Sequence, residues 1–150
     1  MRKMVLSILI DNTPGALSRV VGLFSRRGYN IDSLTVGETE NPAVSRMTVA
    51  VTGDGIILDQ IEKQITKLEN VIQVQELTGD ASVCRELILV KVSASQEARP
   101  SINAIVEIFR AKIVDVASDT MMIELTGNQA KLNAFTKLLD GYEIKELVRT

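Results

Sequence analysis

Apolar residues recur along this chain in two alternating rhythms. Val5-Leu6-Ser7-Ile8-Leu9-Ile10 is a short apolar run bounded by Asp11-Asn12, the signature of a buried strand spanning about 4–10. Leu17, Val20, Val21 and Phe24 follow at helical spacing and share one face, so a helix is predicted over 14–27. Thr13 suits its N-cap and Pro14 its first turn, while Arg26 and Arg27 complement the dipole and Gly28 stops it. A second strand is predicted over 30–38, a turn at Glu40-Asn41-Pro42, and a third strand over 44–51, where Met47, Val49 and Val51 alternate with Arg46, Thr48 and Ala50. Leu58, Ile61, Ile65 and Leu68 form a helical stripe after the Gly53-Asp54-Gly55 break. A fourth strand over 71–77 places Ile72 and Val74 on one face.

The order then repeats. Residues 78–84 are small and polar and read as a linker. A strand over 86–93 leads to a helix opened by Pro100 and carrying Ile102, Ile105, Val106 and Phe109. Strands over 112–116 and 121–125 flank a turn at Asp119. Leu132, Phe135, Leu138 and Leu139 mark a fourth helix, and 142–148 a last strand. Two βαββαβ runs predict an α+β chain of two ferredoxin-like domains, 1–77 and 85–150, each a sheet with helices on one face. In both halves the first strand, including Leu87-Ile88-Leu89-Val90, is apolar at both parities, which calls for cover on the second face by self-association or a partner subunit.

Composition narrows the functional classes. The 150-residue chain carries a net charge of -2 and only 3% aromatic residues, a poor match to a nucleic-acid footprint or a base-stacking sheet. No apolar run is long enough to span a bilayer. Met1-Arg2-Lys3-Met4 enters a strand with no signal-peptide pattern, and the single cysteine, Cys84, forms no internal disulfide, so a cytoplasmic location is expected. The chain has no histidine, which removes the commonest general base and metal ligand. Neither a catalytic residue nor a metal site is predicted. Gly53-Asp54-Gly55 lacks the lysine and spacing of a phosphate loop, Cys84 beside Arg85 reads as inert, and Met121-Met122 as packing.

One stretch does point to chemistry. In Asp11-Asn12-Thr13-Pro14-Gly15-Ala16-Leu17 a strand gives way to a helix start with a glycine in it. Free amides at such a start attract anions, and Gly15 offers no side chain to obstruct them. The amides of Gly15, Ala16 and Leu17 are candidates to hold a carboxylate, with the Asn12 carboxamide either accepting from an ammonium group or donating to the carboxylate. The same residues are read equally well as a capped helix start with no ligand. Asn30 and Ile31, at the start of the second strand, are candidates to close the pocket from a neighbouring chain.

These residues carry a family resemblance. Asp11-Asn12-Thr13-Pro14-Gly15-Ala16-Leu17-Ser18-Arg19-Val20, Phe24-Ser25-Arg26-Arg27-Gly28-Tyr29-Asn30-Ile31-Asp32-Ser33-Leu34, Ser45-Arg46-Met47-Thr48, Arg85-Glu86-Leu87-Ile88-Leu89-Val90-Lys91 and Glu107-Ile108-Phe109-Arg110-Ala111-Lys112-Ile113-Val114-Asp115-Val116 together resemble the regulatory small subunits of acetolactate (acetohydroxyacid) synthase. The first half alone would indicate only an ACT domain, the broad class of amino-acid-sensing modules. The resemblance implies a non-catalytic subunit that forms a homodimer through its ACT domain and binds valine or another branched-chain amino acid at that interface. Asn12, Gly15, Ala16 and Leu17 would come from one chain and Asn30 and Ile31 from the other, with Gly37 near the effector's apolar part. It further implies a large catalytic partner that holds thiamine diphosphate, magnesium and FAD, which this subunit activates and makes sensitive to feedback inhibition in branched-chain amino acid biosynthesis. The alternatives are a stand-alone ACT sensor for another enzyme, an acylphosphatase-like enzyme, for which the phosphate loop with its arginine is missing, and an RNA-binding module.

Overall fold

A computed structural model describes residues 1–150 and resolves them into two compact units, Met1–Ser82 and Val83–Thr150. The division falls inside the small polar stretch at 78–84. Each unit repeats one topology.

In the first unit, β1 (Arg2–Asp11) lies at the centre of an antiparallel sheet in the order β2-β3-β1-β4. Its neighbours are β3 (Val44–Gly53) and β4 (Val71–Glu76), and β2 (Ile31–Glu38) forms the outer edge beyond β3. Alternation decides what faces the helices. Met4, Leu6, Ile8 and Ile10 of β1 and Met47, Val49 and Val51 of β3 are buried against α1 (Ala16–Arg26) and α2 (Gly55–Thr66). Those helices contribute Ala16, Val20, Phe24, Leu58, Ile61 and Ile65 to the same core. Asp54 caps α2, its carboxylate accepting from the Ile56 amide at 2.9 Å.

Gly53 is required by packing. A Cβ there would stand 2.1 Å from Cε1 of Tyr29, whose ring leans on the core beside the end of β3. Gly53→Ala is therefore expected to push the ring aside at a cost of about 1–3 kcal/mol. The thermal midpoint should fall by about 4–8 °C per kcal/mol in a unit of this size. An unchanged melting curve would show that the ring moves freely.

The second unit orders its strands β6-β7-β5-β8, the same pattern, with β5 (Glu86–Ser93), β6 (Lys112–Val116), β7 (Thr120–Gly127) and β8 (Ile144–Arg149). Ile88, Val90, Val92, Met121, Ile123 and Leu125 are buried against α3 (Arg99–Phe109) and α4 (Gln129–Leu138). Phe109 and Phe135 meet edge to face with centroids 5.4 Å apart, joining the two helices. The α+β reading with two ferredoxin-like βαββαβ units thus matches the observed topology.

Four local expectations differ. First, α1 begins at Ala16, not Pro14, and Thr13 is not its cap; Gly15 holds that place with φ 84° and ψ -12° and no side-chain bond. Thr13 to Ala16 is instead a type II turn, with Pro14 and Gly15 in its two central positions and the Ala16 amide donating to the Thr13 carbonyl at 3.4 Å. Second, Ile72 is exposed, because the β1–β4 register shifts between Leu9 and Ile10 and Val71 takes its place against the core. Third, Leu138 is half exposed while Leu139, in a closing 3₁₀ turn, is buried. Fourth, the uncovered face of the first sheet is less apolar than β1 suggests. Val5 and Leu9 are already half-buried, and their neighbours across the ladders are Ala50, Arg46, Gln73 and the polar row of Gln75, Ser7, Thr48 and Thr35.

Candidate functional site

Besides Ile56 and Ile72, the exposed large apolar side chains of the first unit's elements gather at the β2 edge and the start of α1. Leu34 and Val36 of β2 pair across the ladder with Val49 and Met47, so they point to the helix side, yet they remain 38% and 44% exposed. Leu17, at the start of α1, is 41% exposed. The outer edge of β2 has no neighbouring strand, which leaves its backbone groups open to pairing with another chain.

The turn from β1 into α1 is held from below. The Asp11 amide donates to the Asn70 carbonyl at 2.8 Å and the Asn12 amide to the Ala43 carbonyl at 2.9 Å. Arg19 reaches from α1 to the Asn70 side chain. In the first turn of α1 the Leu17 and Ser18 amides have no carbonyl of the preceding turn to bond, since the regular ladder starts with Arg19 donating to Gly15 at 3.2 Å. The open amides at this corner are thus those of Gly15, Leu17 and Ser18, while Ala16 is engaged by the Thr13 carbonyl, at a length near the limit of a hydrogen bond. The left-handed Gly15 needs no Cβ, and nothing lies within 4 Å of where one would stand, so the space above the corner is free.

Asn12 projects beside this corner. Its Nδ2 donates to the Pro42 carbonyl at 2.9 Å and to Oε1 of Glu38 at 3.3 Å. Both amide hydrogens are therefore engaged and Oδ1 is left as the available group. The Pro42 carbonyl is fixed by a tight connection in which Thr39 N bonds Val44 O at 3.0 Å, Val44 N bonds Asn41 O at 2.9 Å and the Asn41 side chain accepts from the Ala43 amide at 3.1 Å. Nothing in the sequence pattern marks Glu38. It lies 26 residues from Asn12, and only the sheet brings them together.

The six candidate residues fall into two groups. Asn12, Gly15, Ala16 and Leu17 fall within one short stretch and sit past the end of β1, level with Glu38. Asn30 and Ile31 lie at the other end of the edge, where Ile31 pairs with Val51 and Val51 with Met4. From the Val51 level to the Ser45 level is six residues of strand, about 20 Å. One copy of the chain does not assemble a pocket from both groups. Gly37 pairs with Arg46 and opens onto the uncovered face, in a shallow groove of about 410 Å³ where Arg46 donates to Ser7.

The second unit carries a groove of about 410 Å³ between α4 and β8, lined by Ile88, Thr136, Leu147 and Arg149 among others. Arg149 fixes its wall, donating to both carboxylate oxygens of Glu86 at 3.1 Å and to Asn133 Oδ1 at 2.7 Å. No helix in the chain is long and apolar enough to cross a membrane.

Known proteins share this sequence and architecture. The family model for the AHAS small subunit-like ACT domain matches residues 6–73, and that for the small subunit of acetolactate synthase matches residues 85–150. A probable acetolactate synthase small subunit of Archaeoglobus fulgidus is 50% identical over 148 residues, covering 99% of this chain and 92% of that protein. The acetolactate synthase isozyme 3 small subunit of Escherichia coli is 48% identical over 147 residues, with coverage of 97% and 90%. The crystal structure of the acetolactate synthase small subunit of Thermotoga maritima superposes with a TM-score of 0.91 at 42% identity, covering all of this chain and 94% of that one. With both units matched in sequence and the whole chain matched in fold, the protein belongs to the family of acetolactate synthase small subunits.

Proposed function

We propose that this chain is the non-catalytic regulatory subunit of an acetolactate synthase, and that two copies bind valine or another branched-chain amino acid between their first units. The observation that carries this reading is the separation of the two residue groups along the free edge of β2. A two-fold axis normal to the sheet pairs β2 with β2 of a second copy in antiparallel fashion. It carries Asn30 and Ile31 of that copy across to the Glu38 end of the first, beside Asn12–Leu17. The same step covers Leu34 and Val36, whose exposure otherwise costs free energy. The effector carboxylate then meets the open amides at the start of α1, and its branched side chain meets Leu17, Ile31 and Val36.

Regulation follows from where the effector sits. A ligand that bridges two chains favours the arrangement in which both halves of its pocket close. That preference reaches the large subunit as a coupling free energy, typically about 1–3 kcal/mol. Carboligation, with its thiamine diphosphate, magnesium and FAD, is assigned to the large subunit. The match over 85–150 supports this reading over a stand-alone sensor, because that unit belongs to the small-subunit family and not to ACT domains at large.

The test is reconstitution with a large subunit. Adding this chain should raise acetolactate formation, and valine should then lower it. Asn30→Ala, at an exposed loop position, should weaken valine binding about tenfold or more in calorimetry while leaving the fold and the activation intact. Unchanged affinity would count against the two-chain pocket.

A further inference from the structure

Resting on that reading of the corner, we propose that Glu38 receives the ammonium group of the effector and thereby restricts the site to amino acids over other carboxylic acids of the same shape. Leu34, Val36 and Glu38 alternate along β2, and Glu38 pairs with the buried Ser45, so its side chain projects on the helix side, the side of the α1 start. Its carboxylate makes no ion pair with any side chain of its own chain, and its polar contact is the Asn12 amide group. A carboxylate left without a cation beside a cradle for anions is unfavourable for a simple anion but suited to a zwitterion. The ammonium and carboxylate of an α-amino acid are separated by a single carbon. With the acid end at the Leu17 and Ser18 amides, the amino end needs an acceptor close by. The Asn12 carboxamide lies beside the Glu38 carboxylate, donating one of its amide hydrogens to Oε1 at 3.3 Å. Glu40, two residues on, belongs to the connection after β2 and has no such contact with Asn12, so it supplies a control with the same charge.

The experiment compares two ligands of one skeleton on the full-length chain. L-valine and its α-hydroxy analogue, (S)-2-hydroxyisovalerate, are titrated by calorimetry into the unsubstituted protein, Glu38→Gln and Glu40→Gln. Valine should bind the unsubstituted protein at least tenfold more tightly than the hydroxy acid. Glu38→Gln should lose about tenfold in valine affinity and bind the hydroxy acid equally well or better, so that the preference collapses. Glu40→Gln should keep it. Equal losses for both ligands in Glu38→Gln, or an unaltered preference, would overturn the assignment of Glu38 while leaving the effector site standing. No binding of valine, leucine or isoleucine to the unsubstituted protein would overturn both.

Discussion

Gly15→Asp should abolish feedback inhibition while the substituted subunit still activates its catalytic partner. The backbone at Gly15 is left-handed, φ 84°, so any side chain there is strained by about 1–2 kcal/mol. Aspartate is among the residues that tolerate this conformation best, and a Cβ meets nothing within 4 Å. A carboxylate at the start of α1 also gains about 0.3–1 kcal/mol from the helix dipole, which offsets part of the strain. The fold therefore survives. The effector does not find its site, because the new carboxylate occupies the amides and repels the incoming one. At about 4 Å and an effective dielectric near 20 that repulsion is about 4 kcal/mol, enough to weaken binding by more than about 100-fold. Gly15→Ala, which adds strain without charge, should show a much smaller loss. Acetolactate formation by the reconstituted complex, with and without valine, decides. Inhibition retained at the valine concentration that inhibits the unsubstituted complex would remove the effector from this corner.

Val36→Asp should separate the chain into monomers and eliminate effector binding in the same step. Val36 is 44% exposed on the helix side of β2, where pairing with a second copy would bury it. The substitution buries two carboxylates per dimer, each at a cost of several kcal/mol, with no added cation to meet them. A weakening of self-association by at least about 1000-fold is expected. In the isolated chain an aspartate at an exposed edge position is harmless and protects the edge against pairing. Sedimentation should therefore show a folded monomer, and calorimetry no valine heat. A variant that stays dimeric and still binds valine would place the interface elsewhere.

Both predictions concern places where sequence and structure agree unevenly. The core was legible because it obeys simple periods. The alternation of Met47, Val49 and Val51 in β3 and the stripe of Leu58, Ile61 and Ile65 in α2 are the residues found buried. The α1 start differs from the sequence pattern because proline favours both the first turn of a helix and the second position of a type II turn, and only the positive φ of Gly15 separates them. Ile72 departs from its alternation because a register shift is a property of a strand pair and leaves no mark in one strand. The apolar pattern of β1 alone does not set the character of the uncovered face, which depends on Thr48, Gln73 and Gln75 of the flanking strands. At the candidate site, the stretch from Asn12 to Leu17 is visible in sequence because its residues are near neighbours along the chain, whereas the contact of Glu38 with Asn12 depends on how β2 and β3 close.

The grip of Pro42 on the Asn12 amide has a broader consequence. The orientation of the Asn12 carboxamide is set by a hairpin connection that meets it through a main-chain carbonyl. If the corner holds an effector, substitutions at residues 39–43 that spare the Thr39 and Asn41 braces would retune its affinity with the recognition chemistry itself left unaltered.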